Sequence, residues 1–227
     1  MNDEQSLRLQ ACLDALYPLQ TVGDIGTDHA YLPCIGILNK KITRAIAADI
    51  KEGPLEAARA TINRFQLNDS IILRLGPGLS VLKPAEVEGV VVAGMGGKQI
   101  KAILEKDVSL TRSFKRLVLQ PNIDANILRT WLADHQFIII DEKLILEDEK
   151  IYEIIVAQPT SRTIKYSTYD IEFGPILLQN SEDQVFKDKW QKKLTKIRQI
   201  LNQLPVDNPR TNLLKEREQQ IKEVLKL

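Results

Sequence analysis

The sequence predicts an α/β fold in which a mostly parallel sheet is followed by a pair of C-terminal helices. Three observations support this prediction. Short apolar runs alternate with helical stretches up to about residue 135, two consecutive β-rich segments follow, and apolar side chains recur at helical spacing from Phe186 onward. Strands that alternate with helices form βαβ units, whose parallel strands are covered on both faces.

The alternating region begins with a helix over residues 6–17, where Leu9, Leu13 and Leu16 recur at helical spacing before Pro18. The strands predicted next are Thr21–Asp24, Ile42–Asp49, Ile71–Leu75, Gly89–Ala93 and Leu117–Gln120. The helices predicted among them are Tyr31–Leu38, Pro54–Phe65, Gly97–Glu105 and Asp124–His135.

The two β-rich segments are Phe137–Leu146 and Ile151–Ala157, and the polar run Glu147–Lys150 connects them. This pattern predicts an antiparallel hairpin at one edge of the sheet. The whole is then a seven-stranded mixed sheet with the first strand near its middle.

The C-terminal part begins with residues 159–182, which lose the periodicity and predict a linker that still packs through Phe173, Ile176 and Leu177. Apolar stripes over residues 186–204 and 213–225, with a break at 205–209, predict an antiparallel, coiled-coil-like helical hairpin. We therefore predict two domains. Residues 1–159 contain the sheet, and residues 160–227 contain the linker and the helical hairpin.

The apolar stripe over residues 186–204 allows two partners, because it could cover either its own domain or a second chain. We expect a monomer, with a dimer through the hairpin left open.

Composition limits the class of protein. The chain has 227 residues, 44% of them hydrophobic, and a net charge of +1. Two cysteines, Cys12 and Cys34, and two histidines, His29 and His135, provide neither a disulfide framework nor a zinc site. The N-terminal residues include acids and lack the apolar segment of a secretory leader, and no apolar run is long enough to span a bilayer. We expect a cytoplasmic protein without a metal or a membrane partner.

The first segment that indicates chemistry follows the first strand and contains Asp24, Gly26, Thr27, Asp28 and His29. Glycine there permits a tight turn at a helix N-terminus. The segment lacks the glycine pattern of dinucleotide-binding proteins, and two carboxylates would repel a pyrophosphate. They suit a ligand with an ammonium and a sulfonium group, such as S-adenosylmethionine. The alternative is an ordinary strand-to-helix turn.

Three further strand ends support a ligand site at this edge. Asp49, followed by Ile50, ends the second strand, where a carboxylate can bind a ribose diol or cap the helix that begins near Pro54. Glycine-rich turns follow the third and fourth strands and contain Gly76, Gly78, Gly94, Met95 and Gly96. Each turn alone is unremarkable, but the carboxyl edge of an open α/β sheet is where ligands bind.

Five motifs together resemble the bacterial tRNA (adenine-N1)-methyltransferases that modify adenine 22 of the D-arm. They are Asp24-Ile-Gly-Thr-Asp-His-Ala-Tyr-Leu-Pro33, Ala93-Gly-Met-Gly-Gly97, Leu119-Gln-Pro-Asn122, Ile151-Tyr-Glu-Ile-Ile155 and Phe173-Gly-Pro175. The resemblance runs in order over nearly the whole chain, and the ten-residue first motif is specific.

This resemblance implies a Rossmann-like class I methyltransferase fold, S-adenosylmethionine as the methyl donor and tRNA as the substrate. It implies that residues 24–29 surround the methionine part of the cofactor, that Asp49 binds its ribose and that Gly94 and Met95 lie on the sulfonium side. One position departs from methyltransferases of this type, which often have an acid between the third-strand glycines, where this chain has Pro77. Adenine recognition then relies on backbone groups near Gly76 and Gly78.

Three residues are candidates for the catalytic step. Asp28 is a candidate acceptor for the product proton, and Gln120 and Asn122 carry amides that can bind the Watson–Crick edge of adenine. The alternative is that Asp28 and Asn122 each cap the following helix.

Charge is divided unevenly along the chain. Residues 160–227 contain 13 Lys and Arg against 9 Asp and Glu, a net of +4, and residues 1–159 carry a net of −3. The predicted RNA contacts, on the helix that begins near Phe186, are Lys187, Lys189, Lys192, Lys193, Lys196 and Arg198. A merely solvated face is the alternative. The competing functions are a methyltransferase for another RNA position or a small molecule, and a non-catalytic binding protein.

Overall fold

The computed structural model describes residues 6–205 and 208–227. Its strands are β1 Thr21–Ile25, β2 Arg44–Asp49, β3 Ile71–Leu75, β4 Gly89–Gly96, β5 Arg116–Ile123, β6 Phe137–Glu147 and β7 Lys150–Pro159. Its helices are α1 Leu7–Leu16, α2 Tyr31–Leu38, α3 Glu52–Arg64, α4 Gly97–Glu105, α5 Val108–Arg112, α6 Ala125–Asp134, α7 Thr168–Phe173, α8 Gln184–Gln203 and α9 Arg210–Leu225. None of the described helices is both long enough and apolar enough to cross a membrane.

The strands form one mixed sheet in the order β3-β2-β1-β4-β5-β7-β6. Strands β1 to β5 pair in parallel, and β7 pairs antiparallel with both β5 and β6. The predicted mixed sheet and its edge hairpin are confirmed. The chain moves outward from β1 through β2 to β3 and then crosses to β4 on the other side of β1, so the strand order reverses beside β1. Ligands of open α/β sheets bind at the carboxyl ends of the strands where the order reverses.

Alternate residues of the central strands face two separate layers. Val90 and Val92 of β4 are fully buried in a cluster with Ile100 of α4 and Leu128 of α6, whereas Val91 lies in a second cluster with residues of α1 and α2. Burial on both faces explains why these strands read as continuous apolar runs in the sequence.

Several elements differ from the predicted boundaries. Strands β4 and β5 each run three residues further than predicted, so Gly94–Gly96 and Pro121–Ile123 lie within paired strands rather than in loops. The β6–β7 connection is a two-residue turn at Asp148 and Glu149, both with positive φ, as favoured in tight hairpins. The short helix α5 was not predicted, and neither were the 3₁₀ turns at Gly78–Val81 and Leu177–Asn180.

The predicted linker contains a helix of its own, α7, which begins with a capping box formed by Ser167 and Asp170. Phe173 and Leu177 are buried there, as the sequence predicted. The predicted break at 205–209 includes Val206 and Asp207, which lie outside the described residues. Helix α8 ends at Gln203 and α9 begins at Arg210.

The apolar stripe of α8 packs within its own chain. Phe186, Trp190, Leu194 and Ile197 are buried in a cluster with residues of α7 and α9, including Phe173 and Ile221. Ion pairs cross between Arg198 of α8 and Glu218 of α9 and between Glu182 and Lys226, which fixes the two helices as antiparallel. The stripe is therefore already covered without a second chain.

A buried ionic network joins α8 to the sheet. Arg129 of α6 is 1% exposed and donates to Glu142 of β6 at 2.7 Å and to Glu153 of β7. Glu153 also accepts from Lys189 of α8, and Glu142 accepts from the backbone N–H of Ile176 at 2.9 Å. Two cations and two carboxylates balance within this network. Burial acts to raise the pKa of Glu153, but the charges of Arg129 and Lys189 hold it below its ordinary value.

The network predicts a large loss of stability for Arg129→Leu. Without the guanidinium, Glu142 and Glu153 are buried carboxylates that face each other, and breaking a buried pair in this way costs about 3–5 kcal/mol. We expect the free energy of unfolding, measured by urea denaturation at neutral pH, to fall by that amount.

The matched control is Arg59→Leu, because Arg59 is an exposed residue on α3. The free energy of unfolding of this variant should stay within about 0.5 kcal/mol of that of the unchanged protein. Equal effects of the two substitutions would contradict the assigned importance of the network.

Candidate active site

The turn after β1 is held in an unusual backbone conformation. The N–H groups of Gly26 and Thr27 donate to Ala48 O at 2.8 and 3.0 Å, and Asp28 and Ala30 adopt positive φ angles of 52° and 55°. Such angles are strained for residues other than glycine and recur at functional sites. The turn leaves the Asp28 side chain 69% exposed, and His29 Nε2 lies 3.7 Å from Asp28 Oδ1. The N-cap of α2 is Ala30, so the capping alternative for Asp28 is wrong.

Asp24 is the buried acid of the site. It is 5% exposed and accepts a hydrogen bond from Thr27 Oγ1 at 2.6 Å. Burial raises the pKa of Asp24 to about 6, and the effect is partly offset by Thr27 and by the charge of Arg8. A carboxyl buried in this way gains from a cationic group placed beside it.

Asp49 stands at the end of β2 and does not cap α3. The N-cap of that helix is Lys51, and Asp49 Oδ1 accepts from the Lys51 N–H at 3.0 Å. Among the described residues no partner is recorded for Oδ2, which leaves it free to accept from a ligand.

Two adjoining cavities lie along the carboxyl edge around these acids. One has a volume of about 430 Å³ and is lined by Asp49, Ile50, Gly76, Pro77 and Gly78 among others. The other has a volume of about 290 Å³, and the residues that line it include Arg8, Asp24, Thr27, Asp28, His29 and Gly94. Gly26, Asp28, Asp49 and Met95 line both. An elongated ligand with a flat apolar end and a zwitterionic end fits this pair of cavities.

The predicted cofactor residues therefore come together, apart from Gly96. Gly96 pairs with Ile123 in the sheet and lines neither cavity. Among the described residues, no group of three His, Cys, Asp or Glu side chains is placed to hold a metal ion.

A closed set of hydrogen bonds joins Gly94 to two amide side chains. Gly94 N–H donates to Gln120 Oε1 at 3.1 Å, Gln120 Nε2 donates to Asn122 Oδ1 at 3.1 Å, and Asn122 Nδ2 donates to Gly94 O at 2.8 Å. Arg8 Nη1 also donates to Gln120 Oε1, at 2.8 Å. Arginine and a backbone N–H only donate, so they fix the orientation of both amides.

These contacts change the assignment of the two amides. Gln120 is fully buried and both ends of its amide bind protein groups, so the predicted direct contact of Gln120 with a base does not fit. Asn122 is exposed and does not cap α6, whose N-cap is Asp124, so its capping alternative is wrong. It keeps one N–H and one oxygen lone pair for a ligand.

Arg8 is the residue that the sequence analysis missed. It lies on α1, lines the smaller cavity, and has its guanidinium 5.3 Å from the centre of the Tyr152 ring. The only sequence signal is its position one turn before Cys12 on the otherwise apolar face of the helix.

A cleft of about 480 Å³ opens between the sheet edge and the hairpin. From the sheet side it is lined by Asn122, Ile123 and Asp124, and from the hairpin by Lys189, Lys192, Lys193, Lys196 and Arg217. The lysines recur at spacings of three and four, which places them on one face of α8. Burial in the cleft and the nearby Arg217 lower the pKa of Lys193.

The six predicted RNA-contact residues differ in their partners. Lys187 and Arg198 lie outside the cleft lining and pair with Glu182 and Glu218, and Lys189 pairs with Glu153. Within the described part of the chain, no ion pair is recorded for Lys192, Lys193 or Lys196.

Comparisons with known proteins agree with this geometry. A curated Bacillus subtilis (strain 168) protein named tRNA (adenine(22)-N(1))-methyltransferase is 37% identical over 202 residues, which cover 88% of this chain and 85% of the relative.

Two solved structures are similar over almost their whole length. The B. subtilis m1A22 tRNA methyltransferase TrmK has a TM-score of 0.88 and 35% identity, covering 97% of this chain and 98% of that one. Streptococcus pneumoniae Sp1610 in complex with S-adenosyl-L-methionine has a TM-score of 0.87 and 36% identity, covering 97% and 99%. The fold is that of a Rossmann-like methyltransferase.

The family model described as tRNA (adenine(22)-N(1))-methyltransferase matches residues 22–227. This chain therefore belongs to the tRNA (adenine(22)-N(1))-methyltransferase family.

Proposed function

We propose that this protein transfers a methyl group from S-adenosylmethionine to N1 of an adenine in tRNA, adenine 22 of the D-arm, in the cytoplasm, where tRNA is found. The observation that carries the proposal is the meeting of two sites at Gly94 and Asn122. Cavities lined by acids approach from one side. From the other side approaches a cleft lined by Lys192, Lys193 and Lys196, which have no ion pair within the described part of the chain. A cationic cofactor and a polyanionic substrate require opposite charges of this kind.

The cofactor is assigned along the two adjoining cavities. Its ammonium group would be held by Asp24, with Gly26, Thr27, Asp28 and His29 around the methionine part, and its ribose diol would bind the free oxygen of Asp49. Ile50 and the backbone of Gly76 and Gly78 would hold its adenine, and Gly94 and Met95 would lie on its sulfonium side. Gly96 supports this site through the sheet. This assignment is supported by the cavity lining, because each of these residues except Gly96 lines at least one of the two cavities.

Arg8 completes the methionine end. It is the only Arg or Lys among the described residues that line the smaller cavity, and only Nη1 of its guanidinium has a recorded hydrogen bond. We assign its remaining N–H groups to the cofactor carboxylate, because bidentate arginine–carboxylate pairs are among the strongest hydrogen bonds in proteins.

The protein contributes to the reaction mainly by alignment. When bound, the cofactor supplies an electrophilic methyl group on sulfur. Adenine N1 carries a lone pair at neutral pH, so in-line placement of the two reactants contributes several kcal/mol. Asn122 Oδ1 accepts from the adenine N6 amino group, and this contact leaves N1 free. Asp28 accepts the proton that the cationic product loses.

The substrate binds across both parts of the chain. In this assignment residues 1–159 hold the cofactor and the target base, and residues 160–227 hold the RNA backbone through Lys192, Lys193 and Lys196. Lys187, Lys189 and Arg198 act through their ion pairs, which stabilise the hairpin.

The direct test is methylation of unmodified tRNA in the presence of the cofactor, read by mass spectrometry of its nucleosides. We expect 1-methyladenosine at a single position, adenine 22. A different methylated nucleoside, or methyl transfer only to a small molecule, would refute the proposal.

Asp28→Asn is the informative variant in this assay. It should keep its affinity for the cofactor, measured by calorimetry, while the methylation rate falls by more than about tenfold. An unchanged rate would remove Asp28 from the catalytic step.

Asp24→Asn should separate stability from binding. The pKa of Asp24 is about 6 in the folded protein and about 3.9 in an unfolded chain, so ionisation of this carboxyl opposes folding increasingly between pH 4 and 6. At pH 7.5, without cofactor, urea unfolding should show the variant more stable by up to about 3 kcal/mol. The difference should disappear near pH 4.

Asp24→Asn should also bind the cofactor less tightly, because a neutral amide attracts the ammonium group less strongly than a carboxylate does. Asp69→Asn, at an exposed position, is the control and should change neither quantity. A variant less stable than the unchanged protein at pH 7.5 would contradict the argument from burial.

Replacing Lys192, Lys193 and Lys196 together by Gln should weaken tRNA binding without affecting the cofactor. Three lost phosphate contacts reduce the slope of log affinity against log salt by about 2 to 3. The control variant replaces Lys187, Arg198 and Lys215 by Gln, which removes the same charge from positions outside the cleft lining. Equal slopes for the two variants would show that the RNA binds elsewhere on the hairpin.

A further inference from the structure

Ile123 is an aliphatic residue exposed at an unusual place. It is the last residue of β5, directly after Asn122, and its side chain is 65% exposed. Single exposed aliphatic residues are common on protein surfaces and need no explanation by themselves. Ile123, however, lines the cleft between the sheet edge and the hairpin, where most other lining residues are polar or charged.

The backbone holds Ile123 in this position by close packing. Ile123 pairs with Gly96 in the sheet, and the next residue, Asp124, has φ 60° and ψ 40°. A Cβ added to Gly97 would lie 2.2 Å from Asp124 O and 3.0 Å from Ile123 O, so only glycine fits there. The positive φ of Asp124 and its close contact with Gly97 thus hold the Ile123 side chain towards solvent. Backbone strain of this kind recurs at functional sites.

The groups around Ile123 define the ligand that suits it. Asn122, beside it, offers one donor and one acceptor, and Lys192, Lys193 and Lys196 offer cations across the cleft. A ligand that matches all three needs an apolar face, a polar edge and phosphate groups. A nucleotide has this combination, and the cavity volume of about 480 Å³ accommodates one.

We propose that Ile123 packs against the face of the target adenine and holds the base at the angle at which Asn122 binds its edge. This proposal rests on the proposed function and adds a residue that positions the substrate base. The contact removes apolar surface of Ile123 from water only when the base is in the cleft, so it favours the extruded base over the stacked one.

Ile123→Ala tests the proposal in the full-length protein. We expect kcat/KM for tRNA to fall by about tenfold, because most of the buried aliphatic surface is lost. Cofactor affinity and the unfolding midpoint should stay unchanged, since the side chain contacts neither the cofactor cavities nor the core. Ile123→Met, which retains an apolar side chain of similar volume, should restore most of the activity.

The matched control is Ile72→Ala, an isoleucine in β3 that is 44% exposed and lies outside the cleft. It should leave kcat/KM unchanged.

Base contact is read separately with tRNA that carries, at the target position, a fluorescent adenine analogue that keeps the N6 amino group and N1, such as 8-vinyladenine. The unchanged protein should alter its fluorescence on binding, and Ile123→Ala should reduce that change. If the unchanged protein forms 1-methyladenosine but Ile123→Ala methylates tRNA equally well, this inference is overturned and the proposed function stands. If the unchanged protein forms none, the proposed function itself fails.

Discussion

The arrangement of this molecule depends on one buried ionic network. Arg129 joins two strands of the edge hairpin through Glu142 and Glu153, and Glu153 in turn binds Lys189 of the C-terminal helices. Buried charges are tolerated only when they are balanced and hydrogen-bonded, so the geometry of each partner is restricted. The network therefore ties α8 to the sheet, and two of its members, Glu153 and Lys189, line the cleft beside Asn122.

An acidic region and a basic region of the chain meet beside this cleft. A near-zero net charge hides an acidic N-terminal region and a basic C-terminal one. Gly94 lies where the two regions meet, because it lines the smaller acidic cavity and binds Gln120 and Asn122 through its N–H and carbonyl. Its φ of 79° and the open space around its missing Cβ suit a ligand that approaches the backbone. Arg8 ties the same group of residues to the first helix.

Sequence patterns predicted the sheet because its strands are buried on both faces. They brought Asp24 and Asp49 together as candidates because these acids stand at the ends of successive parallel strands, and both line a cavity at that edge. They did not predict Arg8 or the burial of Gln120, which depend on how α1 packs against β5, a contact between residues far apart in the chain. The lysine run of α8 was recognised as a set, but helical periodicity cannot show that Lys189 pairs with Glu153 of β7 or that Arg198 pairs with Glu218 of α9. Long-range side-chain pairing thus marks the limit of the sequence prediction.

In the proposed complex, one RNA contacts the sheet edge and α8 at the same time. The most direct measurement is photocrosslinking of tRNA with a photoreactive base at the target position, followed by mapping of the attached peptides. We expect crosslinks to residues 121–126 at the sheet edge and to residues 192–196 of α8. Crosslinks confined to α9 or to the face of α8 that carries Lys187 and Arg198 would contradict it.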